Sequence, residues 1–257
     1  MSVPLAFAEF GSGPPVVIAH GLLGSKRNWR AVAEQLEGSF HVFAVDMRNH
    51  GESPAATDMS YGELAQDLRE FLVSQGLTSS ALVGHSMGGK AAMALALTAP
   101  EVISNLIVLD IAPISYSDEL TQCLALMGGG ESWFSPRNGD PGQQLAAALS
   151  NPAISALLVH NLMTSGDHFD WRVNLHAVVA NMENLSTFPQ TLPERSFSGP
   201  TLFLHSALSE FVRPEHHEAI HNLFPGAEVR LIDGVGHWMH ADQPQAVARE
   251  ILSFLSA

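Results

Sequence analysis

One serine in this chain stands in a setting that suits covalent chemistry: Ser86, in Gly84-His85-Ser86-Met87-Gly88. A serine hydroxyl attacks a carbonyl only when a base takes its proton, an acid orients that base, and N–H groups hold the oxyanion that forms. The string itself is short, and its components are common. Its weight comes from its setting, because Ala81-Leu-Val83 before it reads as a strand and Lys90–Ala99 after it as a small-residue helix. A serine on so tight a strand-to-helix turn is strained and stands clear of the sheet, and flanking glycines let strand and helix approach each other. The helix N-terminus then offers the Met87 N–H to an oxyanion. The base is expected to be His237, on the Gly-rich segment Asp233-Gly-Val-Gly-His-Trp-Met-His240 after the last predicted strand. His240 is the weaker alternative, and the His85 side chain should point away from that of Ser86. The second oxyanion donor is expected on His20-Gly-Leu-Leu-Gly24, after the strand Val16–Ala19, with the Leu22 N–H paired to that of Met87.

These groups need a sheet whose strand ends lie side by side. The chain supplies one, as short apolar runs alternate with amphipathic stretches, the pattern of a mostly parallel sheet with helices on both faces. Strands are predicted at Leu5–Phe10, Val16–Ala19, His41–Val45, Ala81–Val83, Ile103–Leu109, Thr201–Leu204 and Val229–Ile232. A helix should open at the capping box Ser60-Tyr-Gly-Glu63, run to about Gln75 and stop at Gly76. Two more helices should begin at Pro214 and near Pro244. Between about Pro113 and Arg195 the alternation stops, and helical patterns are broken at Gly128-Gly-Gly130 and Pro136–Gly142. This segment reads as a helical cap, 113–195, inserted into a core formed by 1–112 and 196–257.

Composition narrows the partners. With 257 residues, 46% of them hydrophobic, the chain can bury one large core. A net charge of −14, from 26 acidic against 12 basic residues, argues against nucleic acid, whose phosphates need clustered Lys and Arg. The lone Cys123 excludes an internal disulfide framework, and no signal peptide or long apolar run is visible, so a cytoplasmic protein is expected. Cys123 falls in a helical pattern, Leu120–Met127, as a small buried hydrophobe.

The segments HGLLGS (20–25), DMRNHG (46–51), GHSMGGK (84–90), DIAP (110–113) and GHWMHA (236–241) resemble the α/β-hydrolase family. The resemblance spans nearly the whole chain, is weakest across the cap, and is strongest to the serine-esterase group of YbfF and abhydrolase domain-containing protein 11. It implies the α/β-hydrolase fold and hydrolysis of carboxylic esters or acyl thioesters without cofactor or metal. In DMRNHG, Asp46, Arg48 and His50 are read as structural. Most members carry the acid in a Gly-x-x-Asp pattern after the strand that here is Thr201–Leu204. This chain has Ser206-Ala-Leu-Ser209, with Ser209 at the acid position and Glu210 one residue out of register. Asp110 ends the strand Ile103–Leu109, 24 residues beyond Ser86, and the YbfF group is similar in placing its acid in the matching DIAP segment. Asp110 is therefore the expected acid and Glu210 the alternative.

Two patterns invite other chemistry. His217-Glu-Ala-Ile-His221 matches the H-E-x-x-H string of zinc proteases, but thirteen histidines make a chance match easy, and Ile220, Leu223 and Phe224 set the core face of that short helix. Lys26, Arg27 and Arg30 form a basic cluster, read as a solvated helix start with an acyl-CoA phosphate dock as the sharper alternative. In the cap, Met127, Trp133, Phe134, Leu157, Leu158, Leu162, Met163 and Trp171 should pack the helices, a few of them closing over the site. Arg172 is expected in a salt bridge rather than on a substrate carboxylate.

The function expected is a serine hydrolase acting on small-molecule esters or thioesters of short to medium acyl chains. The same residues could also hydrolyse carbon–carbon bonds or run perhydrolysis. A silent ligand binder on this scaffold would usually lack one of the three side chains.

Overall fold

Runs such as Val16-Val-Ile-Ala19 and Leu106-Ile-Val-Leu109 are fully buried along their length, which requires a sheet covered on both faces. The computed structural model, which describes residues 1–116, 159, 161–165, 168–189 and 195–257, joins them in one seven-stranded sheet. Its strands are β1 (Phe7–Phe10), β2 (Pro15–Ala19), β3 (His41–Val45), β4 (Ser80–His85), β5 (Ile103–Leu109), β8 (Thr201–Ser206) and β9 (Glu228–Ile232). Their order is β1-β3-β2-β4-β5-β8-β9, with β1 antiparallel to β3 and every other pairing parallel.

The period-two alternation of strand side chains divides the core into two layers. Val17, Ala19, Leu82, Val108 and Phe203 face α2 (Tyr61–Ser74) and α3 (Met87–Thr98). Val16, Ile18, Val83, Ile107 and Leu202 face α1 (Arg30–Leu36) and α8 (Pro244–Leu255). Further helices are α4 (Leu175–Ala180), α5 (Met182–Ser186), α6 (His217–Leu223), next to the turn Pro214–His216, and α7 (Met239–Asp242).

Each strand and helix expected in the core is present within a few residues of its predicted bounds. α2 ends as expected, with Gly76 at φ 68° and the Leu77 N–H on the Leu72 carbonyl at 2.9 Å. Its start differs. Ser60 is the N-cap but makes no side-chain cap bond, so the predicted capping box does not form. The Glu63 carboxylate instead accepts from Arg48 and from the Met1 amine, because a buried guanidinium competes for it better than a backbone N–H.

The described part of 113–195 is not all helical. A hairpin pairs β6 (Leu162–Ser165) with β7 (His168–Trp171) antiparallel. α4 and α5 are tied to the core by polar bonds: Asn181 accepts from the Met59 N–H at 3.1 Å and donates to the Thr57 carbonyl at 2.8 Å, and Tyr61 donates to the Leu185 carbonyl at 2.7 Å. Cys123 and its helix, the two Gly/Pro breaks, and Met127, Trp133, Phe134, Leu157 and Leu158 lie outside the described residues.

Gly88 shows how tightly the elbow is built. A Cβ there would sit 2.5 Å from the carbonyl oxygens of both Ala19 and His20, so α3 crosses the end of β2 only because a glycine stands at the crossing. Gly88→Ala should destabilise the fold by about 3 kcal/mol or more, since backbone rather than a flexible side chain must give way. Urea unfolding is the measurement, and a midpoint equal to that of the wild type would contradict this packing.

Candidate active site

Between the last residue of β4 and the first of α3, Ser86 adopts φ 52° and ψ −117°, a conformation that side chains rarely hold. Such backbone costs about 1–3 kcal/mol and persists only where its surroundings enforce it. Here the Ser86 N–H donates to the Leu109 carbonyl at 3.1 Å, and the Ser86 carbonyl accepts from the Lys90 N–H at 3.0 Å. Among its buried neighbours Ser86 is half-buried.

The neighbouring strand ends in a similar device. β4 and β5 pair with His85 opposite Leu109, so Ser86 and Asp110 both stand one residue past the paired ends. That puts their backbones about 5 Å apart, the spacing between strands. Asp110 has φ 51° and its N–H donates to the Leu204 carbonyl at 2.8 Å. Its buried carboxylate accepts the Ser206 N–H at 3.1 Å on Oδ1 and the His237 ring at 2.7 Å on Oδ2. An ionised carboxylate only accepts, so His237 Nδ1 carries its proton and Nε2 is left as the basic nitrogen. Phe211 lies against the His237 ring at 4.2 Å between centroids.

The structure thus brings Asp110, not Glu210, to His237. Glu210 is 83% exposed and paired with Arg213. Ser209, at the expected acid position, accepts the Phe211 N–H at 3.3 Å. His240 is buried and stacked on Trp29, with ring centroids 4.5 Å apart and planes 7° apart.

Among the described residues, neither the Leu22 nor the Met87 N–H has a hydrogen-bond partner, as an oxyanion hole requires. The Leu22 loop is braced from DMRNHG. His50 Nε2 accepts the Leu23 N–H at 3.1 Å, and His20 Nε2 accepts the Met47 N–H at 2.9 Å. Asp46 accepts from the Lys26 N–H and the Glu52 N–H, and also from Lys26 Nζ at 2.5 Å. Arg48 is buried against Asp67 at 2.6 Å. The structural reading of Asp46, Arg48 and His50 fits these bonds.

The basic cluster is consumed in the same way. Lys26 pairs with Asp46 and Glu52, Arg27 with Glu52, and Arg30 with Glu34. The H-E-x-x-H histidines diverge, since His217 is half-buried against His205 and His221 is exposed. Among the described residues no three His, Cys, Asp or Glu side chains gather as metal ligands. Among the described residues Arg172 makes no ion pair, and its N–H donates to the Asn161 carbonyl at 2.8 Å.

Sequence reasoning missed Lys90. Burial lowers its pKa to about 7, and its Nζ donates to the Ser186 and Thr187 carbonyls at 3.0 and 2.8 Å, close to the rings of Tyr61 and Tyr116. The signal was a lysine in the first turns of an otherwise apolar helix. Ser206 was missed as well: besides its N–H bond to Asp110, its hydroxyl donates to the Val235 carbonyl in a short bond.

The sheet order, the strained Ser86 after its central strand and the Asp110–His237 pair one strand away set the frame for comparison with known proteins. A family model described as the alpha/beta hydrolase fold matches residues 14–244. The chain is 38% identical to mouse sn-1-specific diacylglycerol lipase ABHD11, over 95% of this chain and 81% of that protein. It is 32% identical to esterase YbfF of Escherichia coli K12, covering 94% and 93% of the two chains. A solved structure titled marine microorganism esterase superposes with a TM-score of 0.88 at 34% identity, over 98% of this chain and all of that one. The chain belongs to the α/β-hydrolase family.

The histidines around the site set an acid limit on stability. Desolvation lowers His20 to about 4 and both His50 and His240 to about 3, and it carries His85 well below 6.5. Each is neutral when folded but charges near pH 6.5 when unfolded, so the unfolded state binds more protons between those values. Their stabilisation is complete above pH 6.5 and is lost as pH falls toward 3–4, at about 1.4 kcal/mol per pH unit for each proton. Around pH 5, unfolding should take up roughly three to four protons from this group. Urea midpoints measured from pH 7 to 5 should drop steeply, and a flat profile would contradict the burial of neutral imidazoles.

Proposed function

We propose that this chain, a carboxylic ester hydrolase by its family, cleaves its substrate by acyl transfer through Ser86, with His237 as base and Asp110 as its orienting acid. The observation that carries the reading is the 2.7 Å bond from His237 to a buried Asp110 whose backbone is in register with the strained serine. His237 Nε2 takes the hydroxyl proton as Oγ attacks the carbonyl. The Leu22 and Met87 N–H groups receive the oxyanion, and Asp110 stabilises the imidazolium without taking its proton. His237 returns the proton to the leaving oxygen, and a water activated by the same ring hydrolyses the acyl-enzyme.

Oxygen esters are the favoured substrates within this reading. The relatives carry the names esterase and diacylglycerol lipase. The basic cluster that could have held the phosphates of acyl-CoA is neutralised by Asp46, Glu52 and Glu34. We also assign 1–112 and 196–257 to a catalytic core and 113–195 to an insertion over it, a division supported by the position of all seven sheet strands outside the insertion.

A fluorophosphonate probe should label the protein, and Ser86→Ala should abolish labelling; an unlabelled but folded wild type would sink the proposal. Asp110→Asn should lower kcat by about 10³–10⁴, because the wrong tautomer of His237 then faces the serine. Glu210→Gln should leave ester hydrolysis within about twofold of wild type, as expected for an exposed surface charge. The reverse ranking of those two variants would move the acid to Glu210.

A further inference from the structure

The residue beside the nucleophile holds the residue that deprotonates it. We propose that His85 is a positioning residue, which fixes the distance between Ser86 and His237 by donating its Nε2–H to the His237 main-chain carbonyl. This inference rests on the assignment of His237 as the base.

His85 closes β4, is buried, and has Nε2 2.9 Å from the His237 carbonyl oxygen. A carbonyl only accepts, so Nε2 bears the proton and His85 is held as a single neutral tautomer. Its ring lies 4.6 Å from that of His237 and 4.6 Å from that of His240, and His240 is backed in turn by Trp29. Near Nδ1 stands the backbone of Gly21, where even a Cβ would come within 2.6 Å of that nitrogen. The imidazole is therefore walled on several sides by groups that do not yield. The groups near it, His20, His237 and His240, are themselves imidazoles, and burial keeps His20, His85 and His240 neutral. No cation in this stack opposes the imidazolium that His237 must become.

A tether is needed because the histidine loop is intrinsically loose. Asp233-Gly-Val-Gly-His237 contains two glycines, one of them at φ 71°, and glycine-rich backbone has many conformations to lose. Among the described residues four bonds from outside hold it: the Ser206 hydroxyl and the Leu208 N–H to the Val235 carbonyl, Asp110 to the His237 ring, and His85 to the His237 carbonyl. The last acts from the residue adjoining Ser86, so it transmits the position of the serine to the base through one rigid side chain. Acyl transfer is sensitive to such placement, and an error near 1 Å can cost about a hundredfold in rate.

The test compares His85→Gln, whose side-chain amide can still donate at the Nε2 position, with His85→Leu, which keeps bulk but donates nothing. Each is assayed for kcat and KM on a p-nitrophenyl ester, for the rate of fluorophosphonate labelling, and for melting temperature. The Leu variant should lose about 10- to 100-fold in kcat and in labelling rate with KM little changed, and the Gln variant should recover most of that loss. A purely structural role predicts equal losses in the two variants, tracking their melting temperatures. If His85→Leu fails to fold, His85→Asn, whose amide is too short to reach, takes its place against Gln. A non-donating variant within about threefold of wild type, or a Gln variant no better than it, overturns the inference while Ser86-dependent labelling of the wild type preserves the serine-hydrolase reading. A wild type that is not labelled overturns both.

Discussion

The parallel pairing of β4 with β5 is the constraint on which the rest of the site depends. Its register sets His85 opposite Leu109, and the next residue of each strand turns out of the sheet with positive φ. Ser86 and Asp110 therefore leave adjacent strands at the same height, each with its N–H tied to the carbonyl of the neighbouring strand. A slip of either strand by one residue would break that alignment and send the slipped strand's side chains to the opposite faces. The buried layers on either side, from Val17 to Phe203 and from Val16 to Leu202, make that slip prohibitive, because every apolar residue of the slipped strand would have to exchange layers. The geometry of the proposed site follows from sheet register, and register from hydrophobic alternation.

Polar groups then refine what the sheet sets coarsely. The loop after β2 carries Leu23 at φ 61°, with its side chain buried in the apolar core. It is held by His50, His20 and Asp46, all buried and all bonded to backbone N–H groups. Such groups are costly when unpaired and rigidifying when paired, so the cluster favours one loop conformation strongly over others. Arg48 and Lys26 are buried under the same logic, each against a carboxylate. Lys90 is different. Its partners are the carbonyls at the end of α5, so it fastens that helix to α3 with a group that burial has already brought close to neutrality.

How much of this was legible in the sequence follows from where each signal resides. Strand and helix positions in the core were readable because periodicity is local, as were the strand-to-helix turn at Ser86 and the Gly-rich loop at His237 because turn chemistry is local. Asp110 was expected over Glu210 from its place at a strand end and its DIAP segment, and the structure adds the burial of one and the exposure of the other. The failures share a cause. Ser60 and Glu63 have the spacing of a capping box, but Arg48, distant in sequence, takes the carboxylate. The hairpin β6–β7 was hidden inside what read as a helical segment, because two four-residue strands leave too little periodicity to outweigh their surroundings. The tethering role of His85 had no sequence signal at all, since its partner is a main-chain carbonyl 152 residues away.

Placing the acid on β5 has a structural consequence at β8. In the more usual arrangement the end of that strand must present a carboxylate to the histidine. Here it carries Ser206, whose N–H meets Asp110 Oδ1 and whose hydroxyl holds Val235, two residues before the base. In the proposed site the β8 end orients the acid and anchors the loop that bears the histidine. The acid in return lies one strand from the nucleophile and is wholly buried, with one oxygen for the backbone and one for the imidazole. A carboxylate so placed has no solvent rotamer to escape to, so its hold on the His237 tautomer does not compete with water. The pair is stronger as an orienting device than an exposed carboxylate such as Glu210 could be from the neighbouring loop.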